Sequence, residues 1–308
     1  MSDFTSAKTS HRHGVISVLV ALPFVSLTGL FGKFLTLSPL LIVQGRTVFA
    51  FGALLLALFF LRKKIFFSDL REWLWLALSG SILGVHWIAF FQAIQVSTVA
   101  IGLLSFASYP LFTTLLEPLF FREPLRVRNV FAALIVICGL ALMATSSSDD
   151  SNTFMTGSVF HGILWGLMAG FGFAVLTLLN RGHVRKHSAL LITCWQNGFA
   201  ALLILPWSLS ESWILSGKEL GLLFLLGVVC TVGGHTLLIN GLRHVRAQVA
   251  SLLIAGLEPV FAILFALILL GEVPSLQTLL GGVLIISTTV FIIYGTEQKE
   301  IAEQAVSK

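Results

Sequence analysis

Residues 108–124 read SYPLFTTLLEPLFFREP, and residues 257–274 read LEPVFAILFALILLGEVP. When the two stretches are placed 149 residues apart, proline falls on proline and glutamate on glutamate. The same offset also aligns earlier residues without a gap. The informative pairs are Gly84 with Gly233, His86 with His235, Pro110 with Pro259, and Glu123 with Glu272. Apolar matches are common in so hydrophobic a chain, but matches of these four residue types are not. The pattern therefore predicts an internal repeat.

The composition around this repeat is typical of a membrane protein. Of the 308 residues, 56% are apolar and 11% are charged, whereas soluble domains usually contain about 25% charged residues. This excludes an ordinary soluble enzyme. A helix needs about 20 apolar residues to cross a bilayer. Ten apolar runs approach or exceed that length: 14–33, 39–61, 72–95, 98–121, 129–145, 157–180, 188–209, 219–241, 248–270 and 275–295.

The apolar runs favour helices, because lipid cannot satisfy the open edge of a strand. We therefore predict an all-α membrane protein with ten transmembrane helices in two five-helix repeats. Since five spans is an odd number, the second repeat enters the membrane inverted. An inverted repeat of this kind indicates a secondary transporter, with its substrate site near mid-membrane where the halves meet.

The positive charges predict the orientation. With the N-terminus in the cytoplasm, every lysine and arginine except Lys33, Arg46 and Lys218 falls on the cytoplasmic side, as the positive-inside rule requires. Both termini are then cytoplasmic, in a multi-pass protein of the inner (plasma) membrane. The net charge of +5 is better explained by this orientation than by binding to nucleic acid.

The predicted organisation divides the chain into five parts. They are a cytoplasmic tail at 1–13, a five-helix repeat at 14–145, an external linker at 146–156, a second five-helix repeat at 157–295, and a cytoplasmic tail at 296–308. The linker contains the polar, acidic run SSSDDSN.

The two quoted motifs, together with GHTLLINGLRHVRAQVASLL at 234–253, resemble the EamA branch of the drug/metabolite transporter superfamily. The resemblance covers residues 14–295, although Arg122 stands in the first half where the second has Gly271. It implies a ten-helix carrier. Characterised members are mostly exporters or facilitators of amino acids and other small metabolites, so the resemblance implies export without naming a substrate.

Two ionisable residues lie inside predicted spans, where a charge costs about 2.5–3.5 kcal/mol on insertion scales. Glu258, beside Pro259, either titrates a proton or binds an amine, or else it satisfies the helix break made by the proline. Arg46 lies about two turns inside the outer end of its span. It either clamps a substrate carboxylate, snorkels to the interface, or pairs with a carboxylate such as Glu258.

Other polar residues inside spans are candidate solute contacts. The repeat mates His86 and His235 form either gate or substrate contacts, or hydrogen bonds that lock helix pairs. Gln92 and Asn240 either contact substrate or bond between helices. No acidic or cysteine ligand is spaced for a metal with either histidine.

The remaining candidate substrate-binding residues are aromatic or amide side chains. They are Trp87, Tyr109, Trp165, Trp195, Gln196 and Asn197. The tryptophans lie inside spans rather than at the interfaces, so they either line an apolar pocket or pack. Tyr109 is the repeat mate of Glu258, and the two amides fall near the place that Arg46 occupies in the first half.

The sequence predicts no cofactor and no metal. Neither a phosphate loop nor a dinucleotide glycine pattern is present. Cys138, Cys194 and Cys230 are scattered through apolar runs, and we expect them to be core residues. An intramembrane enzyme would need a nucleophile and base, or paired carboxylates, at one depth. No such pair is placed convincingly, so we predict a non-enzyme. A channel would more often line its pore through oligomer symmetry.

The predicted function is therefore secondary-active or facilitative transport of small metabolites. One buried acid and one buried base suit a zwitterion, so amino acids lead, with drugs, nucleosides or sugars as alternatives. The carrier either exchanges a proton through Glu258 or equilibrates its solute. Its partners are the solute, the bilayer and, in the first case, protons. The protein is predicted to be a monomer or weak dimer.

Overall fold

A computed structural model of the chain describes residues 2–121, 127–145, 157–184, 186–244, 247–288 and 290–291. Throughout these ranges the only regular secondary structure is helical. The helices are α1 Ser2–Phe34, α2 Pro39–Phe60, α3 Leu70–Val96, α4 Val99–Phe106, α5 Tyr109–Phe121, α6 Val127–Ala144, α7 Ser158–His183, α8 Ala189–Ser208, α9 Gly217–Phe224, a π-helical segment Leu225–His235, α10 Thr236–Leu242, α11 Ala247–Leu270 and α12 Leu276–Thr288.

Eight helical stretches among the described residues are long and apolar enough to cross a membrane. Two shorter apolar helices, Leu134–Met143 and Leu276–Thr288, stand at the fifth and tenth predicted positions. The fourth span, Val99–Leu116, contains α4 and the start of α5, and the seventh, Gly217–Leu242, contains α9, the π-helical segment and α10. The predicted all-α membrane architecture is confirmed.

The fourth span differs from the single helix predicted over 98–121. It breaks at Ala107 and Ser108, between α4 and α5. Pro110 explains the break, because a proline lacks an N–H group and its ring clashes with the carbonyl group four residues earlier. That carbonyl belongs to Phe106, which is the last residue of α4.

The first helix begins at Ser2 and therefore includes residues 2–13 of the N-terminal tail that we predicted at 1–13. The predicted linker at 146–156, the C-terminal tail at 296–308 and Glu123 lie outside the described residues.

Hydrogen bonds between connections define the two ends of the bundle. At one end, which we call the basic end, His187 Nε2 lies 3.4 Å from Glu72 Oε2, and Arg243 Nη2 donates to the His187 carbonyl group at 2.8 Å. At the opposite end, Lys33 Nζ donates to the Ser97 carbonyl group at 2.6 Å. The α10–α11 connection thus lies at the basic end, while its repeat counterpart, the α3–α4 connection, lies at the opposite end. The two repeats are inverted.

Packing between the halves follows the same symmetry. Helix α3 packs on α7, and its counterpart, the π-helical segment with α10, packs on α1. Likewise α4 packs on α7 as α11 packs on α1, while α2 packs on its own counterpart α8. Small residues permit this closeness, since a Cβ atom at Gly80 would come within 2.7 Å of the Gln196 carbonyl oxygen. The seam between the halves therefore passes through the middle of the bundle.

Candidate functional site

A central cavity of about 50 Å³ lies at this seam. Helices α1–α4, α7, α10, α11 and the π-helical segment line it. The lining residues are Val25, Thr28, Arg46, His86, Trp87, Phe90, Phe106, Phe173, Cys230, His235, Leu238, Ile254 and Glu258. A water molecule needs about 10–15 Å³ by this measure, so the cavity has room for a few waters. It must widen to admit a metabolite.

Arg46, on α2, is the cationic group of this cavity. Its side chain is buried, at 2% exposure, and its Nε and Nη2 atoms donate to Thr231 Oγ1 at 3.2 Å and 2.9 Å. Its guanidinium carbon lies 3.6 Å from the centroid of the Trp87 ring, which is a cation–π geometry. The third nitrogen, Nη1, is buried and has no described hydrogen-bond partner. The side chain is therefore held firmly while both N–H donors of Nη1 stay available.

Arg46 also has no described counter-ion. All ion pairs among the described residues converge on Glu72 at the basic end. A buried charge without a partner is costly, and the face of Trp87 offsets only part of this cost. This arrangement suits an anionic group that arrives with a ligand.

The π-helical segment supplies the hydroxyl group that holds Arg46. Thr231 Oγ1 donates to the carbonyl oxygen of Leu226, five residues earlier, at 2.8 Å, and accepts from Arg46 at the same time. Gly227 allows the segment to lie against α2, because a Cβ atom there would come within 2.8 Å of the Arg46 carbonyl oxygen. Insertions of π-helix often occur at functional sites, and here the segment carries Cys230 and His235 to the cavity wall.

Both histidines lie next to Trp87. His86 Nδ1 is 2.8 Å from the Ala169 carbonyl oxygen, so Nδ1 carries the hydrogen, and Nε2 of a neutral ring is an acceptor. A Cβ atom at Gly172 would come within 3.2 Å of His86 Cβ, so glycine brings α7 close to this ring. The His235 ring meets the Trp87 ring edge-on at 5.7 Å between centroids.

Glu258 is the acidic group of the cavity and is 6% exposed. Its backbone carbonyl accepts a hydrogen bond from Ser26 Oγ at 3.3 Å, which ties α11 to α1. No described residue hydrogen-bonds its carboxyl group. Tyr109, the repeat mate, is fully buried and stacks on Phe106 with 5.3 Å between centroids. It therefore supports the aromatic wall from behind without lining the cavity.

The profile of the EamA-like transporter family matches the chain twice, at residues 12–145 and 160–294. The chain belongs to the EamA-like transporter family. It is a membrane transporter of two repeats, as the motifs predicted, and not an enzyme.

Proteins similar in sequence to this EamA-like transporter are also named as transporters. It is 26% identical over 273 residues to the uncharacterised transporter YwfM of Bacillus subtilis (strain 168), covering 87% of this chain and 88% of that protein. It is 30% identical over 208 residues to a protein of Rickettsia prowazekii (strain Madrid E) named S-adenosylmethionine uptake transporter. That match covers 67% of this chain and 66% of the relative, just under two thirds.

A solved crystal structure has a TM-score of 0.64 to this chain at 16% identity. The match covers 91% of this chain and 96% of the other. At this level of identity the likeness concerns the fold alone, and it shows that the arrangement of helices in this EamA-like transporter exists in a crystallised protein.

Not all predicted site residues reach the central cavity. Arg46, His86, Trp87, His235 and Glu258 line it. The predicted α8 residues do not: Trp195 Nε1 donates to the Ile65 carbonyl oxygen at 2.7 Å, Gln196 Nε2 donates to Ser79 Oγ and Asn180 Oδ1, and Asn197 Nδ2 donates to the Thr193 carbonyl oxygen. The bonds of Trp195 and Gln196 anchor α8 within the bundle, whereas that of Asn197 lies within α8 itself. Since none of the three lines the central cavity, we expect no direct solute contact from them in this conformation.

Gln92, Asn240 and Trp165 also lie outside the lining of the central cavity. All three are half-buried, and Trp165 packs against the hydrophobic core. The repeat offset had placed polar residues at equivalent depths, but depth alone does not determine which face of a helix meets the seam.

The central cavity also contains residues that the sequence interpretation missed. Thr28, Phe90, Phe106 and Phe173 line it, and Thr231 stands directly behind it. The chain contains 26 phenylalanines, so the sequence alone does not indicate which of them line a cavity. Of these residues, a hydroxyl residue such as Thr231 within an apolar run was the one that the sequence could have indicated as a candidate site residue.

Proposed function

We propose that this EamA-like transporter carries amino acids, or solutes that contain an amino-acid group, by exposing the central cavity alternately to the two sides of the membrane. The proposal rests above all on Arg46, a buried cation whose Nη1 atom has no described hydrogen-bond partner and which has no described counter-ion. A carboxylate is the group that such a guanidinium recognises best, through paired and charge-assisted hydrogen bonds.

The acidic group of the cavity suits the other end of the same solute. Glu258 lines the cavity with its carboxyl group free of described hydrogen bonds. An α-amino acid presents an ammonium group beside its carboxylate, so Arg46 and Glu258 together discriminate in favour of a zwitterion. A simple carboxylic acid or a simple amine would satisfy only one of the two.

The walls of the cavity suit an apolar or aromatic side chain. Trp87, Phe90, Phe106 and Phe173 contribute rings to it, and such rings also attract positively charged groups. The Rickettsia relatives are named S-adenosylmethionine uptake transporters. S-adenosylmethionine combines an amino-acid end with a sulfonium cation and an aromatic base, so it belongs to the class that this cavity favours.

Direction and energy source form part of the proposal. A carrier without a nucleotide site is reversible, so export, which the family resemblance implies, and uptake, which the Rickettsia names state for those proteins, are two directions of one cycle. Glu258 gives the cycle a proton-binding group. Proton exchange through it would couple transport to the pH gradient, whereas a permanently charged Glu258 would leave a facilitator.

We further propose that both termini and the basic end face the cytoplasm, in the inner (plasma) membrane. Among the described residues, the basic end carries Arg62, Lys63, Lys64, Arg71, Lys186 and Arg243, and a cytoplasmic position for them follows the positive-inside rule. The repeats at 14–145 and 157–295 would act as the two moving units of a monomer or weak dimer.

The test is transport by the purified protein in proteoliposomes. Radiolabelled L-phenylalanine, L-leucine and S-adenosylmethionine serve as probes, with 3-phenylpropionate and phenethylamine as analogues that lack one charged group. We expect saturable uptake of at least one amino-acid probe, with competition by amino acids and little by either analogue. Equal competition by 3-phenylpropionate would contradict the zwitterion site, and no uptake of any probe would contradict the substrate class.

A further inference from the structure

A second cavity, of about 250 Å³, lies at the opposite end of the bundle. Its walls include the start of α4, the end of α11 and the start of α12. Its polar lining residues are Thr98, Glu272, Ser275 and Thr278. It is larger than the central cavity and is large enough to hold a small amino acid.

The two cavities follow one another along the seam. On α4, Ile101 lines the second cavity and Phe106 the central one. On the antiparallel α11, Ile263 lines the second cavity and Glu258 the central one. Five residues separate each pair, a rise of about 7.5 Å along a helix. Both helices thus place the second cavity about one and a half turns nearer the opposite end than the central cavity.

Local structure aims Glu272 into this second cavity. Gly271 adopts a positive φ of 68°, and the Glu272 N–H donates to the Ala266 carbonyl oxygen at 3.3 Å, six residues earlier. A glycine in this left-handed conformation just after the last helical residue ends many helices. It stops α11 and turns the chain so that Glu272 Oε2 accepts the Val99 N–H at 3.0 Å, across the boundary between the repeats.

The carboxylate of Glu272 can accept more hydrogen bonds than the described residues give it. The described residues give it one hydrogen bond, at Oε2, and no described cation lies within 4 Å of it, since the ion pairs converge on Glu72. Lys33, at the same end, donates instead to the Ser97 carbonyl group. A carboxylate accepts several hydrogen bonds, so an ammonium group in the cavity could bind it in addition to, or in place of, the Val99 N–H.

We propose that the second cavity is a vestibular binding site, in which Glu272 holds the ammonium group of the solute on its way to or from the central cavity. The inference rests on the proposed amino-acid function. Because Glu272 also joins the two repeats at Val99, an ammonium group that takes the place of the Val99 N–H releases that joint while a solute is present. The site therefore couples occupancy of the vestibule to opening of the seam.

The test uses the full-length protein with Val273→Cys, since Val273 lines the second cavity and is largely exposed. Labelling of this cysteine by a thiol reagent is followed in proteoliposomes, with the protein that keeps Val273 as the blank for the native cysteines. An equimolar mixture of the common amino acids without cysteine is added, or the same mixture N-acetylated. We expect the free amino acids to slow labelling about two- to fivefold, the range that a half-exposed ion pair supplies, and the acetylated ones to have no effect.

Glu272→Gln separates charge from geometry, because the amide oxygen still accepts the Val99 N–H. We expect it to abolish the protection, whereas Glu219→Gln, which alters another helix-start carboxylate at the same end, should keep it. Protection that survives Glu272→Gln, or that acetylation does not remove, would overturn the vestibular site. Absence of protection in a protein that does transport amino acids would overturn it alone, leaving the proposed function intact.

Discussion

Replacing Arg46 by methionine should strongly weaken solute affinity without unfolding the protein. The substitution keeps a long, flexible side chain in the space beside Trp87 and removes the charge. It leaves no buried donor unsatisfied, because the Thr231 hydroxyl group still donates to the Leu226 carbonyl oxygen. The outcome therefore shows whether Arg46 serves solute binding or folding.

The substitution is expected to change the stability of the protein little and its affinity for the solute strongly. Loss of the bonds from Arg46 to Thr231 costs about 1.5–3 kcal/mol and loss of the contact with Trp87 costs about 2 kcal/mol. Burying a guanidinium costs several kcal/mol that methionine avoids. These terms nearly cancel, so we expect a melting temperature equal to or above that of the wild type. A substrate carboxylate loses about 1.5–3 kcal/mol of binding, which raises KM about 10- to 150-fold.

The assay combines thermal unfolding of purified Arg46→Met protein in detergent with transport kinetics in proteoliposomes. Stability retained together with lost affinity supports a binding role. A melting temperature far below that of the wild type, with normal KM in the protein that remains folded, would refute the reasoning and make Arg46 structural.

Three further substitutions test the orientation of Arg46, proton coupling through Glu258 and the packing of α3 against α8. Thr231→Val keeps the shape but removes the acceptor that orients Arg46, so KM should rise about tenfold, while Thr231→Ser should restore most of the affinity. Glu258→Gln should remove the response of transport to an imposed pH gradient; a mutant that responds like the wild type would exclude proton coupling through this residue. Gly80→Ala should lower the free energy of unfolding by about 1–3 kcal/mol, because its Cβ atom would meet α8 at 2.7 Å. Gly52→Ala, with nothing within 4 Å, is the matched control in a thermal unfolding assay.

The sequence predicted the architecture well because lipid leaves a chain few choices. Every backbone group in hydrocarbon must bond internally, so long apolar runs become helices whatever their order. The matched glycines, histidines and prolines then located the repeat. Pro110 also carried the signal for the break in the fourth span, but the length of the apolar run concealed it.

The site residues were harder to predict than the fold. Whether a side chain faces the cavity depends on the rotation of its helix about the helix axis, and not only on the depth of the residue in the membrane. Arg46 and Gln196 both lie well inside their spans, yet Arg46 faces the seam and Gln196 bonds to Ser79 within the packing of α3 and α8. The π-helical segment explains part of the difference. Its wider turn changes which side of the seventh described span faces the cavity, and no spacing in LLGVVCTVGGH at Leu225–His235 predicts that turn.

The most direct test of the central claim is counterflow. Proteoliposomes that contain a high concentration of an unlabelled amino acid are placed in a trace of the labelled one. Alternating exposure of the Arg46 cavity predicts that label accumulates transiently above its outside concentration in wild-type vesicles and fails to do so with Arg46→Met. Equilibration without accumulation, or equal accumulation in both proteins, would contradict it.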